Sequence, residues 1–347
     1  MAISVYCLDV GQGQCIALMG PSPEGYQAAL IDVGVAGKRL AAWLKRVGVR
    51  RVPLVVLTHN HDDHIKGLAP LVEAFAKQVG DVRFVIDQPP EQLPFWTPIQ
   101  EWRAAGKIRS ADVVYPPDTF QPSRGLPLLE QGLGGFQLYC IYPTVFEAEA
   151  VASEAPLLGT HPGRNVNAVS AIMRLARAGE PDRTAALFGG DLTFRGWRRL
   201  DEKGYDLSAE LLVVPHHGSS FGASKAFGPE HLARAVEPRY ALFSVGTDNS
   251  FEHPRREVVR AFRDVRSTVI CTQITDRCVD RPEVLPGRTV RTPAPAEPNL
   301  VSTGIPCAGT VVITVPDVGP LRVMRLTEHQ DAVDRLPRAV DRPMCRP

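Results

Sequence analysis

The sequence contains no stretch approaching the ~18 consecutive apolar residues that a membrane span requires, so no such span is expected. Nor does one sign of charge dominate. Lys and Arg number 39 against 38 Asp and Glu, and the formal charge of +1 excludes a strongly basic whole-chain footprint for nucleic acid while leaving a local patch open. The opening Met1-Ala2-Ile3-Ser4-Val5-Tyr6 lacks the basic and apolar regions of a secretory signal, and the expectation is a cytoplasmic protein with no membrane partner. Cysteine is sparse and odd in number: Cys7, Cys15, Cys140, Cys271, Cys278, Cys307 and Cys345 are scattered without a close Cys-x-x-Cys pair, which does not look like a disulfide framework. No internal repeat is evident. With 44% hydrophobic and 22% charged residues, there is enough apolar surface to offset chain entropy, and disorder of the bulk is excluded.

Short apolar runs separated by glycine turns open the chain. Residues 3–10, 15–19 and 28–33 read as strands, and 38–47 as a helix ending at Gly48. Leu54-Val55-Val56-Leu57 is continuously apolar, as expected of a strand buried on both faces. Beyond it, Ile65, Leu68, Val72, Phe75 and Ala76 recur at helical spacing. Residues 88–125 are rich in proline and aromatics and read as an insertion with one helix near 98–105. Strand character returns at 135–142, and 147–164 reads as a loop. Strands at 168–175, 184–188, 211–214, 240–245 and 268–272 then alternate with helices near 195–203, 223–235 and 255–263. A proline-rich excursion covers about 280–306, and 311–315 with 321–326 form a closing hairpin. The expectation is one domain over 1–327 and a polar, mobile tail over 328–347.

The dominant signal is Thr58-His59-Asn60-His61-Asp62-Asp63-His64, directly after the buried strand and at the start of a helix. Imidazole and carboxylate together suit Zn²⁺ or a similar first-row ion. In an extended turn His59 and His61 point to one side and can chelate one ion, while Asp63 and His64, at the helix start, face a second. Solvated loop histidines are the bland alternative. Further along stand Leu8 to Gly13 (Leu-Asp-Val-Gly-Gln-Gly), Asp32 in Ile-Asp-Val-Gly, Gly190-Asp191-Leu192, Pro215-His216-His217-Gly218-Ser219, and Ser244-Val245-Gly246 followed by Asn249 to Pro254.

In this ordered set the chain resembles the metallo-β-lactamase superfamily, and more closely the hydrolase domain of ComEC-type competence proteins. The resemblance covers residues 1 to about 275. It implies an α/β fold of the four-layer αββα kind, with ions at one edge of two facing sheets. It implies metal ligands among His59, His61, Asp63, His64, Asp191, His216 and His253, with Asp191 bridging two divalent ions, Zn²⁺ first and Mn²⁺ as the alternative. Asp32 is expected to accept a hydrogen bond from a ligand imidazole and so fix its tautomer. His216 is favoured as a ligand, and for His217 a packed or substrate-contacting role stands beside ligation. Gly218, Ser219 and Ser220 offer a phosphate cradle.

The chain also departs from the pattern. Asn167 occupies the place where many relatives have a histidine, with His161 as a nearby candidate in a Pro/Gly loop. Gln14 stands where an aspartate is common and Lys66 where a glycine is common, and either residue could tune the substrate or the second metal.

A paired cation centre lowers the pKa of bound water to ~7 and polarises P=O or C=O, which suits hydrolysis. Asp63 is expected to orient the nucleophile, and His216, His217 or His253 to stabilise or protonate the departing oxygen. The resemblance implies a phosphodiesterase or nuclease acting on DNA, RNA or a nucleotide, in a defence or signalling setting. A hydrolase of a lactone, thioester or β-lactam is the second reading, and an inactive binding or scaffold protein the third.

Two weaker signals remain. Cys271, Cys278 and Cys307 with a fourth ligand could hold a structural Zn²⁺, against the alternative of buried free thiols. Arg195, Arg198 and Arg199, and Arg255, Arg256, Arg260, Arg263 and Arg266, could touch a nucleic-acid backbone, against the alternative of solvated helix faces balanced by neighbouring acids.

Overall fold

Alternation decides the first strand. In Ile3–Cys7, residues Ile3, Val5 and Cys7 are buried while Ser4 and Tyr6 are half-buried, so one face of the strand enters the core. The computed structural model describes residues 2–85, 95–116, 125–129, 133–154, 166–278, 300, 303–334 and 344–346. His161, and most of the excursion about 280–306, lie outside the described residues.

The first half runs β1 (Ile3–Cys7), β2 (Cys15–Ser22), β3 (Gly25–Val33), α1 (Gly37–Arg46), β4 (Val49–Leu57), α2 (Asp62–Ile65), α3 (Leu68–Ala74), β5 (Val79–Phe84), α4 (Trp96–Ala104) and β6 (Ile108–Val113). The second runs β7 (Leu126–Pro127), β8 (Phe136–Tyr142), α5 (Val145–Glu154), β9 (Ile172–Arg177), β10 (Glu180–Phe188), α6 (Phe194–Glu202), β11 (Leu211–Val213), α7 (Pro229–Val236), β12 (Tyr240–Phe243), α8 (Arg256–Asp264) and β13 (Thr268–Cys271). The chain then returns to the first sheet with β14 (Val311–Val315) and β15 (Arg322–Val323) before α9 (Leu326–Asp334). Among the described residues these strands make two sheets, ordered β15-β14-β1-β2-β3-β4-β5-β6 and β13-β12-β11-β10-β9-β8-β7.

Three apolar clusters set the layering. One lies between the sheets, where Val5, Leu18, Ile31 and Val56 meet Leu138, Met173, Phe188 and Leu242. A second joins α1, α3 and α4 to the outer face of the first sheet through Leu40, Trp43, Leu71 and Ile99. The third joins α6, α7 and α8 to the outer face of the second through Trp197, Leu232 and Phe262. This is the expected αββα sandwich. Each sheet has a parallel portion, β3 to β6 and β10 to β13, whose strands end at a shared edge. Loops after parallel strands carry ligand sites in such layouts.

Three local expectations are corrected. Within 88–125 the described residues hold α4, the helix expected near 98–105, and then β6, an unexpected strand that pairs with β5 as the edge of the first sheet. The loop expected from residue 147 begins as α5, opened by a capping box in which Thr144 N donates to Glu147 Oε2 (2.9 Å) and Glu147 N donates to Thr144 Oγ1 (3.4 Å). The polar tail expected from residue 328 begins inside α9, which buries His329, Ala332 and Val333.

Burial, with Arg346 nearby, pushes His329 down to about 4. An unfolded histidine takes its proton near 6.5, so this packing contributes fully above that pH. It loses on the order of 3 kcal/mol as pH falls from 6.5 through 4. Urea midpoints compared at pH 7.5 and 4.5 should show a smaller difference in His329→Gln than in the unaltered protein.

Candidate metal centre

The centre begins at the end of β3. Asp32 is fully buried with φ of 56°, and its carboxylate gathers the neighbouring loop. It accepts hydrogen bonds from Thr58 N (2.8 Å), Thr58 Oγ1 (2.9 Å) and Gln14 Nε2 (3.0 Å), and lies 2.7 Å from His64 Nδ1. His64 is therefore fixed with Nε2 turned away from Asp32. Gln14 supports Asp32 from a buried position. Lys66 is exposed and pairs with Asp62 at 3.6 Å.

The turn after β4 presents His59 and His61, with His59 Nε2 and His61 Nδ1 3.1 Å apart. The first turn of α2 then presents Asp63 and His64. Asp191 follows β10, and its backbone N donates to Ser170 Oγ at 2.8 Å. His217 follows β11 in the turn Pro215–Gly218, with Nδ1 2.8 Å from Ser244 O. Two groups of ligand atoms each fall within 4.8 Å: His59, His61 and Asp191, and Asp63, His64 and His217. Asp191 addresses both. Its Oδ2 lies 3.6 Å from His59 Nε2, while Oδ1 lies 3.3 Å from His64 Nε2 and 3.5 Å from His217 Nε2.

The charges are interdependent. Burial alone would raise Asp191, but His64, His217 and His59 hold it well below the usual carboxylate range. Burial likewise opposes Asp63, yet contact with His217 and the charge of His64 keep it low. Burial would lower His64, and Asp191 and Asp32 reverse this and raise it. His64 Nε2, Asp191 Oδ1 and His217 Nε2 are buried and make no hydrogen bond of good geometry. Three inward-facing polar atoms, costly to leave unpaired, suit a cation held among them. The donors, imidazole and carboxylate, suit a divalent first-row ion.

The two trios include His217 and neither His216 nor His253, whereas the sequence favoured His216. The reason lies in the backbone. His216 and His217 both take positive φ, 51° and 54°, and this reversal turns His217 inward. His216 stays nearer the surface, its Nε2 3.9 Å from Asp191 and 3.3 Å from Asn167 Nδ2. His253 stacks 6.2 Å from His217, clamped through its backbone by Asn249, and burial with the nearby His217 and His216 takes it down to about 4. Ser219 Oγ accepts from Phe221 N at 3.1 Å, so this hydroxyl is engaged in its own turn, and Ser220 is half-buried beside it. Thr58, Ser170 and Ser244 are supports that the motif did not single out. Thr58 adjoins the first histidine in the chain, and it is fully buried.

Glycine has a specific role at Gly13. Its φ is +124°, and a Cβ there would lie 2.3 Å from the carbonyl oxygen of Asp63. Gln14 N also donates to that oxygen, at 3.3 Å. Gly13→Ala is expected to displace Asp63 and lower turnover roughly 10²-fold, since about 1 Å of misplacement suffices for such a loss. Unchanged kcat/KM in this variant would contradict the assigned packing. On α6 and α8, Arg198 pairs with Glu202 at 2.8 Å and Arg260 with Asp264 at 3.7 Å.

Residues 24–134 match the family model of the Metallo-beta-lactamase superfamily. The chain is 21% identical over 272 residues to ComE operon protein 3 of Bacillus subtilis (strain 168), covering 73% of this chain and 30% of that protein. It is 35% identical over 98 residues to Competence protein ComA of Neisseria gonorrhoeae, covering 28% and 13%. It therefore spans less than a third of the length of either relative. Among solved structures it resembles the metallo-beta-lactamase fold protein YhfI from Bacillus subtilis, with TM-score 0.44, 16% identity, and coverage of 78% of this chain and 96% of that one. It also resembles unliganded yeast PDE1, with TM-score 0.45, 11% identity, and coverage of 78% and 97%. Among the described residues, no helix is long and apolar enough to cross a membrane.

Proposed function

Since the chain carries a Metallo-beta-lactamase superfamily domain, with homology to competence proteins, we propose that it is a binuclear metal-dependent hydrolase that cleaves a phosphodiester in DNA, RNA or a nucleotide. The observation that carries the reading is the pair of adjacent ligand groups sharing Asp191, opening beside a row of aromatic rings. His59, His61 and Asp191 would hold one ion, and Asp63, His64 and His217 the other, with Zn²⁺ favoured by the donors and Mn²⁺ as the alternative. When bound, such ions supply Lewis-acid stabilisation of developing charge and an activated water. Asp63, half-buried at the start of α2, orients the nucleophile. His216 and His253, outside both groups, would stabilise or protonate the departing oxygen.

The ring row suggests the substrate class. Phe251 stacks on His253 at 5.8 Å, His253 meets His216 at 5.6 Å, and His216 meets Phe221 edge-on at 6.2 Å. Phe221 and Phe251 are 65% and 59% exposed, and exposed aromatic rings beside a site of this kind suit stacking of bases. Phe221→Ala and Phe251→Ala are each expected to raise KM for a dinucleotide roughly tenfold, from ~1–3 kcal/mol of stacking, with little change in kcat. An unchanged KM in both variants would remove this support.

The deciding assay compares plasmid, RNA, bis-p-nitrophenyl phosphate and a lactone, each with and without a chelator. The expected result is phosphodiester hydrolysis that chelation abolishes and Zn²⁺ or Mn²⁺ restores. Turnover of the lactone alone would favour the non-phosphate alternative. Cytoplasmic location and a partner in a defence or signalling system belong to the same proposal.

A further inference from the structure

A cavity of about 280 Å³ opens at the end of the second sheet opposite the metal centre. The strand ladder fixes its place. Thr268, in its wall, is the first residue of β13 and pairs with Tyr240, which in turn pairs with Leu211, so the cavity sits where three parallel strands begin. Asp191 and His217 follow the ends of β10 and β11, at the other edge. Arg263 and Arg266 reach the cavity from the end of α8 and the turn after it, His329 from α9, and Arg346 from the far end of the chain.

Its lining carries positive charge that the fold does not neutralise. Neither Arg263 nor Arg266 pairs with an acid among the described residues: Arg263 Nη1 donates to the carbonyl of Met344 at 3.1 Å, and Arg266 is exposed. Arg346 is shared, its Nη2 donating to Asp334 Oδ2 at 2.8 Å and to Gln330 O at 2.5 Å. Asp264, the acid of the lining, pairs with Arg260 at 3.7 Å. His329 is 6% exposed, and its Nδ1 is buried without a hydrogen-bond partner. Burial and Arg346 hold that ring neutral near pH 7, so it offers a donor and adds no charge. Cys271, Cys278 and Cys307 are free thiols that burial pushes up, and no group of converging ligand atoms among the described residues includes them. The chemistry of this end of the sheet is therefore that of its arginines.

We propose that this cavity binds a phosphate dianion, either inorganic phosphate or the phosphoryl group of a small monoester, at a site remote from the His/Asp centre. Guanidinium forks match phosphate oxygens in pairs, and charge-assisted hydrogen bonds of this kind are roughly twice as strong as neutral ones. Arg263 and Arg266 supply the charge that a dianion needs, and Thr268 and the ring of His329 offer neutral donors. Size and lining narrow the ligand. The volume falls below the ~300–1,000 Å³ usual for pockets that enclose larger organic ligands. The described lining holds no Phe, Tyr or Trp on which a base could stack, so the phosphoryl group is what the site recognises. Arg346 is tied to α9 through Gln330 and Asp334, while Arg263 holds the carbonyl of Met344. An anion bound among them joins α8, α9 and the end of the chain, and stabilises that packing by binding the folded form alone.

The test uses the zinc-loaded full chain. Inorganic phosphate and ribose 5-phosphate are titrated separately at fixed ionic strength, with chloride as the control, while the histidine ring signals are followed by NMR and His329 is assigned from His329→Gln. A saturable shift of the His329 signal is expected with phosphate and not with chloride. Phosphate that reaches the His/Asp centre moves the histidines of that centre instead, so the two events are read separately. Arg266→Gln should weaken the His329 response roughly tenfold, the loss expected for one charged hydrogen bond. Arg266 is exposed, so this variant keeps its fold, and an unchanged Tm in chloride checks that. Tighter binding of ribose 5-phosphate would assign the site to a phosphorylated small molecule, and tighter binding of inorganic phosphate to the free ion; both bear the proposal out. A His329 signal that neither anion moves, that chloride moves equally, or whose response survives undiminished in Arg266→Gln and Arg263→Gln overturns it. The hydrolase reading stands or falls on turnover, which this titration does not measure.

Discussion

Replacing Asp63 with alanine is expected to lower hydrolysis by about 10³-fold or more while leaving the thermal midpoint within a few degrees of the starting protein. The magnitude follows from the loss of several kcal/mol of transition-state charge stabilisation, at about 1.4 kcal/mol per tenfold in rate. The modest effect on folding follows from location. Asp63 lies at the surface end of the cluster with its side chain 30% exposed, so truncation leaves no closed cavity. Asp191→Asn should lower activity as severely for a different reason. One of its oxygens faces His59 and the other faces His64 and His217, and an amide offers a single acceptor for two ligand groups. Metal content separates the two variants: Asp191→Asn should lose ions from both groups, whereas Asp63→Ala should retain the ion at His59 and His61. Near-normal kcat/KM in either would remove the binuclear mechanism.

The second large effect is on stability. Asp32→Ala should cost about 3–5 kcal/mol, because it leaves Thr58 N, Gln14 Nε2 and His64 Nδ1 without their acceptor in a fully buried position. Asp32→Asn is the informative companion. It nearly preserves volume but offers His64 a neutral amide in place of a carboxylate, so the ring loses the partner that fixes its tautomer. Ion affinity should fall 10- to 100-fold with a smaller loss of stability, as with other partners that orient a ligand histidine. Denaturant titration and competitive chelation measure the two effects, and equal ion affinity in Asp32→Asn would contradict the orienting role.

Where the signal was local, the sequence was a good guide. The run from His59 to His64 carries four of the six trio residues on one turn and one short helix, and the buried strand before it identified its own position. What escaped depends on distant partners or on backbone hand. The run Val-Gly-Asp-Val-Arg-Phe of β5 does not look like an inner strand, because Asp81 and Arg83 interrupt it. In the fold these charges are absorbed across the pleat, with Asp81 bound by Arg109 and Ser110 of β6. The start of α5 was marked by the Thr144–Glu147 spacing, though its apolar pattern is too weak to show a helix. The choice between His216 and His217 rested on two positive φ angles that residue types do not encode.

The ligand groups draw on both sheets, and a backbone bond from Ala171 N to Thr58 O, 2.9 Å long, ties the two sides together at the centre. The stretch matching the superfamily model ends at residue 134, before Asp191 and His217. Polypeptides split between β7 and β9 would each own an incomplete set of donors, so neither could chelate as the whole does. Mixed together, they should reassociate more tightly when divalent ions are supplied, making the cation a clasp for complementation as well as a reagent.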